Sequence, residues 1–250
     1  MRYVRGVLRF FLTICYLFYV YLLAVCVLPV AGPEKKRRII RAHAAFLLTL
    51  LGLKFSIKGK LKEKGTLLVS NHVSFVDIAL LEAAHPGRFI AKQEIASWPL
   101  FGTISKGVGT LFINREKART ILAVNRAISE ALTRLETVFV FAEGKTGNGT
   151  SLLPVRSNLL QPAIDTRRPV QPVAICYMYE GALTDRASYC DRNIFACLWE
   201  IVTTPGLNAV VKILPAIEPL PEDRHALAKS ISKAVSAAMG VEDPLANRPD

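Results

Sequence analysis

Residues 66–77 read TLLVSNHVSFVD and contain the clearest indication of the fold class. It begins with a short apolar run, turns polar at Ser70, Asn71 and His72, and then enters a second apolar run. A buried strand that is followed at once by a helix fits this pattern. The stretch therefore predicts the first strand and helix of an α/β domain. Functional groups gather at strand ends in such domains, so His72 is a candidate site residue.

Short apolar runs alternate with longer amphipathic runs through the rest of the chain. The predicted strands are 66–70, 88–91, 109–114, 137–142, 170–176 and 209–214. The clearest predicted helices are 117–135, where apolar residues recur every three or four positions, and 223–239, which Gly240 closes. The stretch 185–204 shows little period and is expected to contain loop and helix. Strands that are apolar on both faces and separated by helices predict a largely parallel sheet flanked by helices.

Positive charge is concentrated at the amino end of the chain. The 250 residues carry a net charge of +12, and residues 1–64 hold 13 basic side chains against Glu34 and Glu63. Residues 65–250 are therefore almost neutral. A nucleic-acid-binding domain usually carries its excess charge on the folded body, so nucleic acid is not an expected partner. Hydrophobic residues make up 51% of the chain, which excludes a disordered protein.

Residues 10–31 contain no charged side chain and predict a transmembrane helix. The run is long enough at helical rise to cross a hydrocarbon layer of about 30 Å. More Lys and Arg follow the run than precede it, which predicts an inner or plasma membrane protein whose downstream domain lies on the cytoplasmic side. A cleaved signal peptide and a buried core helix are the alternative interpretations.

A second apolar run, AHAAFLLTLLGL at 42–53, is too short to span a bilayer and predicts an interfacial helix. Lysines recur between residues 54 and 64, and we expect them to attract anionic lipid headgroups. A solvated charged turn is the alternative for 60–64. The chain thus divides into a basic membrane-anchoring segment, 1–64, and a folded α/β domain, 65–250.

Cysteine and histidine spacing predicts neither a disulfide framework nor a metal site. The five cysteines have no C-x-x-C spacing, and no two histidines have ligand spacing with a carboxylate. His43, His85 and His225 lack a setting comparable to that of His72, and we expect them to be structural or surface residues.

His72 and Asp77 lie five positions apart, where the predicted strand gives way to the helix. A carboxylate about one helical turn after a histidine can fix the tautomer and orientation of the imidazole. Such a histidine can act as a general base, which accepts the proton of an alcohol as the alcohol attacks a carbonyl carbon. The alternative is that Asp77 caps the helix and His72 is only its hydrogen-bonding partner.

Further motifs follow NHVSFVD (71–77) in order: GTLFINR at 109–115, FAEG at 141–144 and VQPVAI at 170–175. Together they resemble the motifs of the glycerolipid acyltransferase family, the 1-acylglycerol-3-phosphate acyltransferases and their relatives. The segments FIAKQE and WPLFG, which lie between the first two motifs, also resemble that family. The resemblance covers about residues 65–178 and implies an α/β domain of the glycerol-3-phosphate acyltransferase type.

The resemblance also implies a role for each matching residue. His72 would be the base and Asp77 its partner. Arg115 would bind the anionic headgroup of the acceptor lipid, and Glu143 and Gly144 would shape the same pocket.

Lys92, in FIAKQE, joins the substrate-binding candidates on the same resemblance. The chain departs from the family after Glu-Gly, where Lys145-Thr146 replaces the usual Thr-Arg, and before it, where Ala142 replaces Pro. Lys145 or Arg156 would then have to supply the missing positive charge. Lysine offers only a point charge in place of the planar arginine fork.

The implied reaction moves an acyl chain from acyl-CoA or acyl-carrier protein onto the hydroxyl of a lysolipid at the membrane. No cofactor is expected beyond this acyl co-substrate. The first candidate acceptor is 1-acyl-sn-glycerol 3-phosphate, and lyso-ornithine lipid or another lysophospholipid is the alternative, since FAEGKTGNG followed by LPVRS is also similar to lyso-ornithine lipid acyltransferases. No G-x-S-x-G motif supports a serine acyl-enzyme. An alternative of a different class is a membrane-anchored lipid-binding protein without catalysis.

Overall fold

A computed structural model of the protein describes residues 2–62, 64–113, 118–217 and 223–246. The helices are α1 Arg2–Cys26, α2 Pro33–Leu50, α3 Val76–Ala84, α4 Phe101–Val108, α5 Ala118–Thr133, α6 Gln161–Asp165, α7 Ile194–Thr203 and α8 Arg224–Met239. The strands are β1 Lys54–Lys58, β2 Leu67–Ser70, β3 Arg88–Lys92, β4 Leu111–Ile113, β5 Val138–Phe141, β6 Val170–Tyr179, β7 Ala182–Leu183 and β8 Asn208–Ile213. Every strand predicted from the sequence is present within a few residues of its expected bounds.

The strands form one sheet in the order β1-β8-β6-β2-β5-β3-β4, and β7 pairs with the end of β6. Strand β2 pairs in parallel with both β5 and β6, and β3 pairs in parallel with β5 and β4. Strand β8 is antiparallel to β6 and parallel to β1. The largely parallel sheet is therefore confirmed, and β2, with its NHVSFVD extension, lies near its centre.

Helices cover both faces of the sheet, as expected. Leu67 and Val69 of β2 belong to a buried cluster that includes residues of α5, α6 and α8. Leu68, between them, belongs to a second cluster with α3, α7 and the end of α2. This division follows from the alternation of side chains along a strand. Burial of each large apolar side chain contributes about 2 kcal/mol to stability.

Strand β1 lies inside the segment 1–64 that was predicted to be a membrane anchor. It pairs with β8 from Lys54, opposite Asn208, to Lys58, opposite Lys212. Its lysines are exposed at the edge of the sheet, where charged side chains discourage pairing with another chain. The predicted boundary at residue 64 thus falls inside the sheet, and residues 54–58 form an edge strand that the lysines obscured.

Helix α1 begins and ends earlier than the predicted helix at 10–31. Among the helices in the described part of the chain, only α1 is long and apolar enough to cross a membrane. It also packs on the globular body near both ends. Phe10 meets Trp199 of α7 edge to face with ring centroids 6.0 Å apart. Near its other end, Ala24 approaches Gly107 of α4 so closely that a Cβ on Gly107 would lie 2.9 Å from the Ala24 side chain.

Helix α2 starts at Pro33, well before the interfacial helix predicted at 42–53, because proline suits the first turn of a helix. Its basic first half contacts the carboxyl end of α3. Arg41 Nε donates to the Ala83 carbonyl at 3.1 Å, and Arg37 Nη2 lies 3.3 Å from His85 Nε2. These cations therefore compensate the carboxyl end of α3 as well as adding to the positive charge of the anchor.

Glu82 lies buried at this contact between α2 and α3. Burial raises the pKa of its carboxyl group to about 8, although a hydrogen bond from the Gly87 backbone and the charge of Lys36 act in the opposite direction. Because the folded-state pKa exceeds the ordinary value of 4.5, this group's contribution to stability is complete below that value and is lost as the pH rises toward 8.

We expect Glu82→Gln to remove this pH dependence. Between about pH 5 and about pH 8, the free energy of unfolding of the wild type should fall relative to that of the variant by on the order of 3 kcal/mol. Thermal unfolding of both proteins in the same detergent at both pH values measures the difference. Parallel pH profiles for the two proteins would show that Glu82 ionises normally in the fold.

Candidate active site

His72 lies in the loop between β2 and α3, at the carboxyl edge of the sheet. The side chain of Asn71 fixes the end of β2 to β6: its Oδ1 accepts from Ile175 N at 2.7 Å, and its Nδ2 donates to Ile175 O at 2.9 Å. Since β2, β5 and β6 are parallel neighbours, the residues that follow them meet at one edge. The first motif is thereby brought next to Glu143, which follows β5.

The His72 imidazole and the Asp77 carboxylate are in direct contact, with Nδ1 and Oδ2 2.8 Å apart. The same Oδ2 accepts hydrogen bonds from Val73 N at 2.7 Å and Ser74 N at 2.9 Å. Asp77 therefore both organises the loop and holds the imidazole. Because a carboxylate only accepts, Nδ1 carries the proton and Nε2 is left to meet a substrate. The Asp77 side chain is fully buried, whereas 21% of the His72 side chain is exposed, so a ligand can reach the ring.

Tyr177 of β6 completes this constellation, and sequence reasoning missed it. Its hydroxyl donates to Asp77 Oδ1 at 2.6 Å in a fully buried position. Burial and the neighbouring Asp77 charge raise the pKa of Tyr177 well above its ordinary value, which keeps the hydroxyl a donor. Side chains alternate along a strand, so Gln171 and Tyr179 share this face of β6 with Tyr177, and no local signal in the sequence distinguished Tyr177 from a core tyrosine.

The ring of Phe141 supports the His72 imidazole from one side. The two rings are stacked with centroids 4.0 Å apart and an interplanar angle of 18°. Phe89 contacts Phe141 in turn at 6.0 Å. This stacking and the bond to Asp77 together restrict rotation of the imidazole.

Glu143 connects the end of β5 to two loops. Its Oε2 accepts from His72 N at 2.7 Å, and its Oε1 accepts from Leu153 N at 2.9 Å. Burial raises its pKa to about 7, and these hydrogen bonds partly offset that effect. Gly144 follows with a φ of +77°, and a Cβ there would lie 3.2 Å from Arg156 Nε, so glycine suits both the backbone conformation and the close approach.

Two of the other predicted substrate-binding residues lie together beside Glu143, and a third lies apart from them. Lys145 and Arg156 line the same cavity of about 380 Å³, beside Glu143. Lys92, at the end of β3, is exposed and is not among the residues that line this cavity. Arg115 lies outside the described residues. Within those residues, no group of three or more His, Cys, Asp or Glu side chains could hold a metal ion.

Comparison with known proteins identifies the family. The family model described as Acyltransferase matches residues 52–176. A 1-acyl-sn-glycerol-3-phosphate acyltransferase of Neisseria meningitidis serogroup B is 38% identical over 218 residues, which cover 86% of each chain. A lyso-ornithine lipid O-acyltransferase of Pseudomonas aeruginosa is 33% identical over 208 residues, which cover 82% of this chain and 79% of the relative.

A solved structure has a similar fold. The crystal structure of the 1-acyl-sn-glycerophosphate (LPA) acyltransferase PlsC from Thermotoga maritima aligns over the full length of both chains with a TM-score of 0.70 and 18% sequence identity. At that identity the likeness concerns the fold. The family match extends over half of the chain and the Neisseria relative over most of it, and on these grounds this protein belongs to the acyltransferase family.

Proposed function

We propose that this acyltransferase acylates the free hydroxyl of 1-acyl-sn-glycerol 3-phosphate and thereby produces phosphatidic acid. The observation that carries the proposal is the 2.8 Å contact between His72 and Asp77, on a ring that a substrate can reach. The name of the Neisseria relative supports the choice of acceptor.

In the proposed step His72 Nε2 accepts the proton of the lipid hydroxyl while the oxygen attacks the thioester carbonyl carbon. A carbon–oxygen bond forms, the carbon–sulfur bond breaks, and the thiol leaves with the proton that His72 returns to it. Asp77 stabilises the imidazolium that forms in between. The reaction uses no cofactor beyond the acyl donor, for which acyl-CoA and acyl-carrier protein both fit this chemistry.

Tyr177 has a positioning role in this proposal, since it touches Asp77 and not the substrate. Its hydrogen bond holds Asp77 Oδ1 and leaves Oδ2 for His72. It also shares the negative charge of the carboxylate, which limits how strongly Asp77 retains the proton on the imidazole.

We expect Tyr177→Phe to lower kcat about tenfold with little change in KM for either substrate, because a hydrogen bond to a charged group is lost. Without this donor, Asp77 holds the imidazolium proton more firmly, so the acid limb of the pH–rate profile should move to higher pH. Steady-state kinetics across pH measure both effects. Tyr179→Phe, on the same strand beneath Arg186, is the matched control. A lower rate with an unmoved pH profile would reduce Tyr177 to a packing residue.

Lyso-ornithine lipid is the second candidate acceptor, because FAEGKTGNG followed by LPVRS is similar to lyso-ornithine lipid acyltransferases and because the Pseudomonas relative bears that name. The test offers the purified enzyme a labelled acyl donor, as CoA ester and as carrier-protein ester, and equal amounts of both lysolipids. We expect labelled phosphatidic acid to predominate. Labelled ornithine lipid as the main product would transfer the assignment to the second candidate.

We further propose that the enzyme works at the inner or plasma membrane with its catalytic domain on the cytoplasmic side. The outer face of α1 supports membrane contact. Its exposed apolar side chains are Tyr3, Val4, Val7, Leu8, Phe11, Leu12, Ile14, Phe18, Tyr19, Leu22 and Val25. Because α1 contacts the body near both ends, it fits a helix that lies along the membrane better than one that crosses it alone.

Protease added to vesicles of known sidedness should cut the domain only from the cytoplasmic side, and cutting from the other side would reverse the orientation.

A further inference from the structure

The cavity beside Glu143 has a wall that the motifs do not include. Its volume is about 380 Å³, and its lining comes from the residues after β5, from the loop at 153–158 and from His225 in the first turn of α8. His225 lies 68 positions beyond Ser157 in the chain, yet its Nδ1 is 3.3 Å from the Ser157 hydroxyl. The last helix therefore closes a cavity next to the residue that binds the His72 backbone.

The lining of this cavity combines apolar, neutral polar and basic residues: Leu153, Pro154 and Val155, then Ser157 and Asn158, then Lys145, Arg156 and His225. Lys145 and Arg156 contribute positively charged side chains, and His225 adds an imidazole ring. Glu143 is the acidic member, but both of its oxygens accept backbone hydrogen bonds from His72 and Leu153. Such a cavity favours an anion with several oxygen atoms over a cation or a neutral group.

The first turn of α8 presents His225 in a fixed position. Asp223 caps the helix by accepting from Ala226 N at 2.8 Å, and Asp223 is not among the lining residues. The contact with Ser157 engages His225 Nδ1, so a ligand would meet Nε2. The Ser157 side chain is itself buried, which holds this pair in place.

We infer that His225 is a specificity-determining residue for the phosphate monoester of the acceptor lipid, in the cavity where the family resemblance already leads us to expect the charge of Lys145 or Arg156. The inference rests on the proposed function, whose acceptor carries both the phosphate and the reacting hydroxyl on one short glyceryl unit. Glu143 connects the two sites, because it is one of the residues that line the cavity and its Oε2 accepts from His72 N at 2.7 Å. A phosphate held by Lys145, Arg156 and His225 would place the neighbouring hydroxyl close to the His72 ring. The volume suits the headgroup and leaves the acyl chain outside.

The test uses the full-length enzyme with His225→Gln and His225→Ala, and with Arg224→Ala as the matched control. Arg224 precedes His225 in the same turn but does not line the cavity. We expect both His225 variants to raise KM for 1-acyl-sn-glycerol 3-phosphate about tenfold, with little change in kcat or in KM for the acyl donor. Acylation of 1-monoacylglycerol, which lacks the phosphate, should be equally slow in wild type and variants. Arg224→Ala should match the wild type.

A binding measurement separates this inference from the proposed function. Calorimetry with glycerol 3-phosphate should show weaker binding to both His225 variants than to the wild type. If the wild type binds glycerol 3-phosphate through His225 but forms no phosphatidic acid, the cavity assignment stands and the proposed acceptor is wrong. If phosphatidic acid forms and the His225 variants keep the wild-type acceptor KM and glycerol 3-phosphate affinity, the cavity assignment is overturned and the proposed function stands.

Discussion

His72→Ala should lower kcat/KM for lysolipid acylation about a thousandfold. General-base catalysis by a positioned histidine contributes on the order of 100- to 10,000-fold, and alanine leaves no group that could take the hydroxyl proton. The fold should survive the change, because the loop backbone is held separately by Asp77, which accepts from Val73 N and Ser74 N, and by Glu143, which accepts from His72 N. Product formation from a labelled acyl donor measures the effect.

The matched control for this variant is His43→Gln. His43 lies on α2, where its Nδ1 is 2.6 Å from the Tyr16 hydroxyl, and it has no place in the proposed chemistry. It should keep wild-type activity. Thermal unfolding should show that both variants are folded. The loss of activity in His72→Ala is then due to the missing imidazole and not to unfolding. A folded His72→Ala protein that acylates lysolipid at the wild-type rate would remove His72 from the mechanism and favour the lipid-binding alternative.

Asp77→Asn should cost almost as much activity, again about a thousandfold in kcat, with little change in KM. The amide keeps the shape of the carboxylate but not its charge, so it stabilises the imidazolium less well. Stability should change little in this variant, because an amide oxygen can still accept from the loop N–H groups and the amide nitrogen can donate to the Tyr177 hydroxyl oxygen.

Asp77→Ala distinguishes the structural function of Asp77 from the catalytic one. It should be as inactive as Asp77→Asn but less stable by about 3 kcal/mol, because the buried Tyr177 hydroxyl and the backbone N–H groups of Val73 and Ser74 lose their acceptor. Denaturant unfolding and steady-state kinetics on both variants give the comparison. Substantial activity in a stable Asp77→Asn protein would show that Asp77 serves only to organise the loop.

The sheet and the first motif could be predicted because their signals are local. The apolar run of β2 and the polar residues that follow it encode a strand end, and the spacing of His72 and Asp77 encodes their proximity. The structure supports both interpretations of Asp77 at once, since Oδ2 accepts from the loop backbone and from the imidazole. From the sequence of residues 66–77 alone, these two roles of Asp77 are alternatives.

The contacts that complete the site could not be predicted because they join distant parts of the chain. Tyr177 reaches Asp77 across 100 positions, and His225 reaches Ser157 through the packing of the last helix. Neither residue has a local pattern that distinguishes it from a core tyrosine or a surface histidine. Strand β1 was missed for a different reason: its lysines gave the signal of a charged surface, which an edge strand also shows.

The basic segment, residues 1–64, has more than one role. The sequence predicts that its charges orient the protein and attract lipid, and the structure adds that Arg37 and Arg41 contact the end of α3. Part of the positive charge therefore stabilises the docking of α2 on the catalytic body.

In the proposed mechanism the acyl group passes in a single step from the thioester to the lipid hydroxyl, with His72 as the base. The most direct measurement incubates the purified protein with a labelled acyl donor alone, removes a sample, and then adds 1-acyl-sn-glycerol 3-phosphate. We predict that no label becomes bound to the protein in the first stage and that labelled phosphatidic acid appears in the second. Label bound covalently to the protein before the acceptor is added, or no labelled two-chain lipid afterwards, would exclude direct acyl transfer to this acceptor.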